Sequence, residues 1–143
     1  MTLEANEAVI LLLEDDVNDA FLFQEALAEL GYLVKVQVVN SVADGCAYLD
    51  GTGKFQDRQQ FPMPNLIVSD FKLGGRTGGE FFQRVRAEPA FNEIFFVFLS
   101  GSALPREQQA AIRDGAHGFY DKTTDWELMK DRVSQILTHL PGP

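Results

Sequence analysis

Three stretches of this chain are apolar at every position: Val9–Leu13, Leu66–Val68 and Ile94–Leu99. A strand with one wet face alternates apolar and polar residues. A run without a polar break must be covered on both faces. None of the three approaches the roughly 20 residues needed to cross a bilayer as a helix. The arrangement that covers short apolar strands on both faces is a parallel sheet between two layers of helices.

The intervening segments supply those helices. Asn18–Leu30 places Ala20, Phe23, Leu27 and Leu30 on one stripe, and Gly31 follows as a stop. Val34–Val38 alternates with period two, which predicts a strand at the sheet edge. Val42–Leu49 predicts a helix with Val42, Cys46 and Leu49 inward, and Gly51–Pro64 a long surface loop. Gly74–Gly79 is a glycine-rich turn, followed by a helix over Glu80–Glu88 that Pro89 closes. Pro105–Asp114 is a helix with Pro near its start and Gly115 past its end, and Phe119-Tyr120 a short fifth strand. Thr124-Asp-Trp-Glu127 matches a capping box before a last helix burying Trp126, Met129, Val133, Ile136 and Leu140. Strand and helix alternate five times. The expected fold is α/β and doubly wound, a five-stranded parallel sheet in the order 2-1-3-4-5 with helices on both faces.

Charge and composition narrow the partners. The 143 residues suit one domain. Twelve basic against 21 acidic residues leave a net charge of −9, a poor match to nucleic acid or an anionic membrane. The lone Cys46 makes no internal disulfide or cysteine zinc cluster, and it is expected to fill core. His117 and His139 are too few for a His-rich metal site, and His117 is expected at the surface. Glu4 and Glu7 stand where a signal peptide would carry basic residues, so the expected location is cytoplasmic.

In a doubly wound sheet ligands bind beyond the carboxyl ends of the strands, where the first and third diverge. Those ends read Glu14-Asp15-Asp16, Ser69-Asp70, Ser100-Gly101 and Asp121-Lys122. Adjacent strands lie about 4.8 Å apart, so the carboxylates ending the first and third face each other. Several carboxylates that close need a counter-charge. An oxygen-seeking divalent cation, Mg²⁺ (or Mn²⁺), supplies it and keeps positions open for a phosphoryl oxygen. A carboxylate beside such a cation, a lysine and a hydroxyl make a phosphoryl-transfer site with an aspartyl phosphate as product.

Together these segments resemble the receiver domain of two-component response regulators. The resemblance rests on Ile10–Asp16, Asn65–Gly78, Phe98–Gly101 and Gly118–Lys122, four motifs in order at strand ends. It implies Asp70 as phosphoacceptor, with Lys122 and Ser100 acting on the phosphoryl group. It implies a metal held by Glu14, Asp15, Asp70 and the Lys72 backbone carbonyl, Asp15 being the more direct ligand of the acidic pair. It implies a switch in which Ser100 follows the phosphoryl group and Phe119 turns inward. That movement alters the face of the fourth helix, fifth strand and last helix. Lys72 and Ser102, each two residues past a site residue, lie near the path of an attacking water, and Lys72 is expected to alter the phosphoryl lifetime.

Three positions depart from the family pattern. Thr123 replaces the usual Pro after the lysine, Gly74 replaces a Pro four residues past the acceptor, and Asp121 replaces an apolar residue. Asp121 is expected to be exposed, pointing away from Lys122.

The receiver accounts for about Val9 to Leu140 and leaves nothing for an output domain. The expectation is therefore a single-domain signalling protein, not an enzyme, that takes its phosphoryl group from a histidine kinase. Its output is protein contact or relay through a histidine phosphotransfer protein. The Gly51–Pro64 segment lengthens the Asp15–Asp70 interval by about ten residues over a compact receiver. In this it resembles regulators serving phytochrome-type kinases, many of them homodimers, with the fourth helix, fifth strand and fifth helix as the implied dimer face. Alternatives are a phosphorylation-independent binding module and an aspartyl-phosphate phosphohydrolase. The hydrolase calls for a second Asp where Lys72 stands. A flavodoxin needs a phosphate-binding loop where Glu14-Asp15-Asp16 stand, and those anions would repel the flavin phosphate.

Overall fold

The computed structural model describes residues 8–73 and 76–140. Its main sheet contains β1 (Val9–Leu13), β2 (Lys35–Val39), β3 (Leu66–Ser69), β6 (Phe95–Ser100) and β7 (Gly118–Asp121). All neighbours are parallel, in the order β2-β1-β3-β6-β7, which is the expected 2-1-3-4-5. A separate two-residue antiparallel pair, β4 (Lys72–Leu73) with β5 (Arg76–Thr77), follows β3. The helices are α1 (Val17–Glu29), α2 (Val42–Asp50), α3 (Gly78–Ala87), α4 (Pro105–Arg113) and α5 (Trp126–Leu137).

The unbroken apolar runs are split by strand pleating into two cores. Leu11, Leu13, Ile67, Phe96 and Phe98 face α2 and α3, while Ile10, Leu12, Leu66, Val68, Val97 and Leu99 face α1 and α5. β2 pairs with β1 alone, the edge position its alternation predicts, but its burial does not alternate: Lys35–Gln37 are half-buried, Val38 is exposed and Val39 is buried.

Local differences have identifiable causes. In α1 the buried stripe ends at Ala26 and Leu27; Leu30 is the C-cap and is 38% exposed. In α2 Val42 and Leu49 are buried as expected, Cys46 is half-buried against the core, and Tyr48 is fully buried. The α3 helix starts at Gly78, two residues early, because Thr77 and Glu80 form a reciprocal capping box. Gly74 and Gly75 lie outside the described residues. The capping box expected at Thr124 is not made: Asp125 caps α5, its carboxylate accepting from the Leu128 amide. Met129, Val133 and Ile136 are buried, with Trp126 and Leu140 packed at the margin.

The Gly51–Pro64 segment is more than a surface loop. It contains a short 3-10 turn (Gly53–Phe55) and buries Phe55 in a cluster with Tyr48 and Phe61, ring centroids 5.1–6.0 Å apart. Arg58 donates to the Tyr48, Leu49 and Phe61 carbonyls at 2.7, 2.7 and 3.1 Å, so its guanidinium satisfies the end of α2. The Tyr48 hydroxyl donates to the Pro62 carbonyl at 2.7 Å.

Candidate phosphoacceptor site

Glu14, Asp70 and Lys122 each stand one position past a strand, held there by a continuation of the ladder. The Glu14 amide donates to Val39 O at 3.0 Å, the Asp70 amide to Leu13 O at 2.9 Å and the Lys122 amide to Ser100 O at 3.0 Å. The parallel register thus carries three side chains from β1, β3 and β7 to one end of the sheet. Thr123 does not disturb this: no cis peptide occurs among the described residues, and Lys122 reaches the site.

The Lys122 ammonium is the hub. Its Nζ lies 2.6 Å from Glu14 Oε1, 2.8 Å from Asp19 Oδ2 and 2.9 Å from Asp70 Oδ2. Burial works against its charge, but the bonds to Asp19, Glu14 and Asp70 outweigh that and raise its pKa. Glu14 shows the opposite balance. Burial pushes its carboxyl up to about 7, against the opposing pull of Lys122 and of the Asp16 amide at 3.1 Å.

The three acidic residues named from the sequence come together. Glu14, Asp15 and Asp70 each present an oxygen within 4.8 Å of the others. Both Glu14 oxygens are engaged, one by Lys122 and one by the Asp16 amide. Asp70 Oδ1 accepts from the Phe71 amide at 2.7 Å and the Lys72 amide at 3.4 Å. Asp15 is exposed, and no hydrogen bond or ion pair engages its carboxylate among the described residues. An all-oxygen donor set with one free carboxylate suits a hard divalent cation such as Mg²⁺ or Mn²⁺.

The backbone around Asp70 is tightly enclosed. Ser69 Oγ donates to the Asp70 carbonyl at 2.8 Å, and the Gly78 amide donates to the Phe71 carbonyl at 2.6 Å. A Cβ on Gly78 would stand 2.1 Å from the Asp70 carbonyl oxygen. Only glycine permits that approach.

Ser100 ends β6 and is buried, its Oγ accepting from the Ser102 amide at 3.4 Å. Phe119 pairs with Phe98 across β6 and β7, and its half-buried ring lies 5.2 Å from Phe98 and 5.8 Å from Phe71. The ring thus touches the residue that follows Asp70. The Lys72 side chain and Asp121 are exposed, as is His117, whose Nδ1 accepts from the Phe96 amide.

Sequence reasoning missed Asp19. The available signal was its position: it follows Asp15 by four residues, in the first turn of α1.

The profile of the response regulator receiver domain matches residues 10–134. This chain belongs to that family. Among curated relatives, an uncharacterized 76.5 kDa protein of Thiocystis violacea is 32% identical over 84% of the chain, which spans only 16% of that relative. A probable chemotaxis protein CheY of Rhizobium etli is 26% identical over 93% of the chain and 95% of its own length. Among solved structures, the phosphorylated cyanobacterial phytochrome response regulator RcpA superposes on this receiver domain with a TM-score of 0.82. It is 25% identical and covers 93% of each chain. No described helix of the receiver is long and apolar enough to cross a membrane.

Proposed function

We propose that this receiver domain accepts a phosphoryl group on Asp70 and signals through the conformational change that follows. The observation carrying the proposal is the 2.9 Å contact of Lys122 Nζ with Asp70 Oδ2 beside the Glu14 and Asp15 carboxylates. In the transfer, a carboxylate oxygen of Asp70 bonds to phosphorus as the bond to the donor's histidine nitrogen, or to acetate in acetyl phosphate, breaks. The Phe71 amide orients the carboxylate by holding Oδ1. Lys122 is poised to donate to an oxygen of the incoming group, offsetting its charge. Glu14, Asp15 and Asp70, with the Lys72 backbone carbonyl, are the proposed holders of Mg²⁺ or Mn²⁺. When bound, that ion supplies charge neutralisation for the phosphoryl oxygens.

Ser100, at the end of β6, is the proposed hydroxyl that binds the attached phosphoryl group. Phe119 is the proposed switch aromatic, packed on Phe71 and Phe98. Movement of the β6–α4 loop would then alter the face of α4, β7 and α5. The proposed output is contact with another protein or phosphorelay. The proposed donor is a histidine kinase or histidine phosphotransfer protein, of phytochrome type by likeness to RcpA, and the proposed location is the cytoplasm. Exposed Leu104, which caps α4, and exposed Ile112 on α4 support the same face as a homodimer contact. A phosphohydrolase is less well supported, since the exposed Lys72 stands where its second carboxylate would be needed.

The test is incubation with acetyl phosphate and Mg²⁺, read by intact mass. A single phosphate adduct that is lost in Asp70→Asn and with EDTA supports the proposal. No adduct on the unaltered protein would leave a phosphorylation-independent binding module as the better reading.

A further inference from the structure

We propose that Asp19 is a positioning residue that holds Lys122 toward α1 in the resting state, so that this receiver favours metal binding over premature capture of an anion. The proposal rests on the phosphoacceptor reading above and concerns a residue which that reading does not use.

Three observations support it. First, Asp19 is aimed at Lys122 and at nothing else in the site. Its Oδ2 meets Nζ at 2.8 Å, while the α1 N-cap is made by Asp16, which accepts from the Asn18 and Asp19 amides. Asp19 is thus not serving as the helix cap. Second, the pair is sheltered on the cation's side: the Lys122 side chain is 19% exposed. A sheltered pair retains more of its Coulombic energy than one in open water. Third, a cavity of about 300 Å³ between α1 and α5 is lined by Asp19, Lys122, Thr123 and Trp126, leaving space beside the lysine for its ammonium to shift.

The electrostatics give effects of opposite sign. Lys122 competes with a divalent cation for Glu14 and Asp70, since it bonds one oxygen of each. Asp19 takes the third of the three Lys122 protons and adds a negative charge nearby. That charge helps a cation to bind. It also works against an incoming phosphoryl group, which is itself an anion, and the pairing with Asp19 holds a Lys122 proton that the group needs. Asp19 therefore strengthens metal binding and restrains phosphoryl capture.

Asp19→Asn tests this, with Mg²⁺ affinity measured by isothermal titration. Phosphorylation by acetyl phosphate is then followed by intact mass at saturating Mg²⁺ for each variant. The expected result is Mg²⁺ binding weakened about five-fold and phosphorylation accelerated by a similar factor. Asp19→Glu, which keeps the charge, is expected to restore both to within about two-fold. A merely structural Asp19 would lower both quantities together, and a solvated surface pair would move neither. Either pattern, or movement of only one quantity, overturns the inference. Absence of any adduct on the unaltered protein would instead refute the phosphoacceptor reading, and this inference with it.

Discussion

Lys122 Nζ lies 2.9 Å from Asp70 Oδ2 although β6 separates their strands in the sheet. The contact exists because both residues stand one position past a strand end, and a long lysine spans the intervening strand. Lys122 also neutralises Glu14, so its removal leaves two buried carboxylates without their cation. Lys122→Ala is expected to slow phosphorylation by acetyl phosphate about 100-fold, in line with loss of one preorganised donor to a developing anion. Intact-mass time courses at saturating Mg²⁺ check this, and retention of Mg²⁺ binding separates it from loss of fold.

Gly78 sets the backbone of Asp70. A methyl group there would meet the Asp70 carbonyl oxygen at 2.1 Å, a distance that forces the chain apart. Gly78→Ala is expected to destabilise the domain by about 1–3 kcal/mol, the usual cost of overpacking. It should also slow phosphorylation, because the displaced segment carries the proposed acceptor. Urea denaturation gives the first quantity and mass spectrometry the second. An alanine variant matching the parent in both would show that the α3 start yields freely.

The sheet was legible because its signal is redundant. Continuous apolar runs, an alternating edge strand and glycine or proline stops all point to one topology, and acidic, hydroxyl and lysine residues mark the strand ends. Asp19 was harder to single out, because it lies on a helix and reaches the site only through the packing of α1 beside the Lys122 side chain. The capping box at Thr124 failed for a local reason: Asp125, one residue on, supplies an equally good oxygen to the Leu128 amide. The Gly51–Pro64 segment looked like plain loop because its order comes from distant partners. Arg58 reaches carbonyls of α2, and Phe55 packs on Tyr48; neither contact has a periodic signature in the sequence.

Arg58 is the fastener of that segment. Its guanidinium satisfies the Tyr48 and Leu49 carbonyls at the α2 end and ties them to Phe61. Arg58→Ala is expected to cost about 2 kcal/mol, as charged hydrogen bonds are lost and part-buried carbonyls are left unpaired. Hydrogen exchange should rise across residues 51–64, with the phosphorylation rate unchanged. A slower phosphorylation rate would mean instead that the strap supports the acidic end of β1.

Tyr48 provides a pH readout of the same region. Its ring is fully buried and its hydroxyl donates to the Pro62 carbonyl, and burial pushes its pKa up to about 12. The folded state therefore favours the neutral phenol more strongly than the unfolded chain, where a tyrosine titrates near 10. The resulting stabilisation is complete below about pH 10 and is lost as pH rises from there toward 12. Phenolate absorbance is expected to show one tyrosine ionising near that upper limit, or only as the protein unfolds. In Tyr48→Phe that late step should vanish. The variant should also be less stable at neutral pH by about 1 kcal/mol, since the Pro62 carbonyl loses its donor. A late step that survives the substitution would assign it to Tyr120, whose pKa burial also raises.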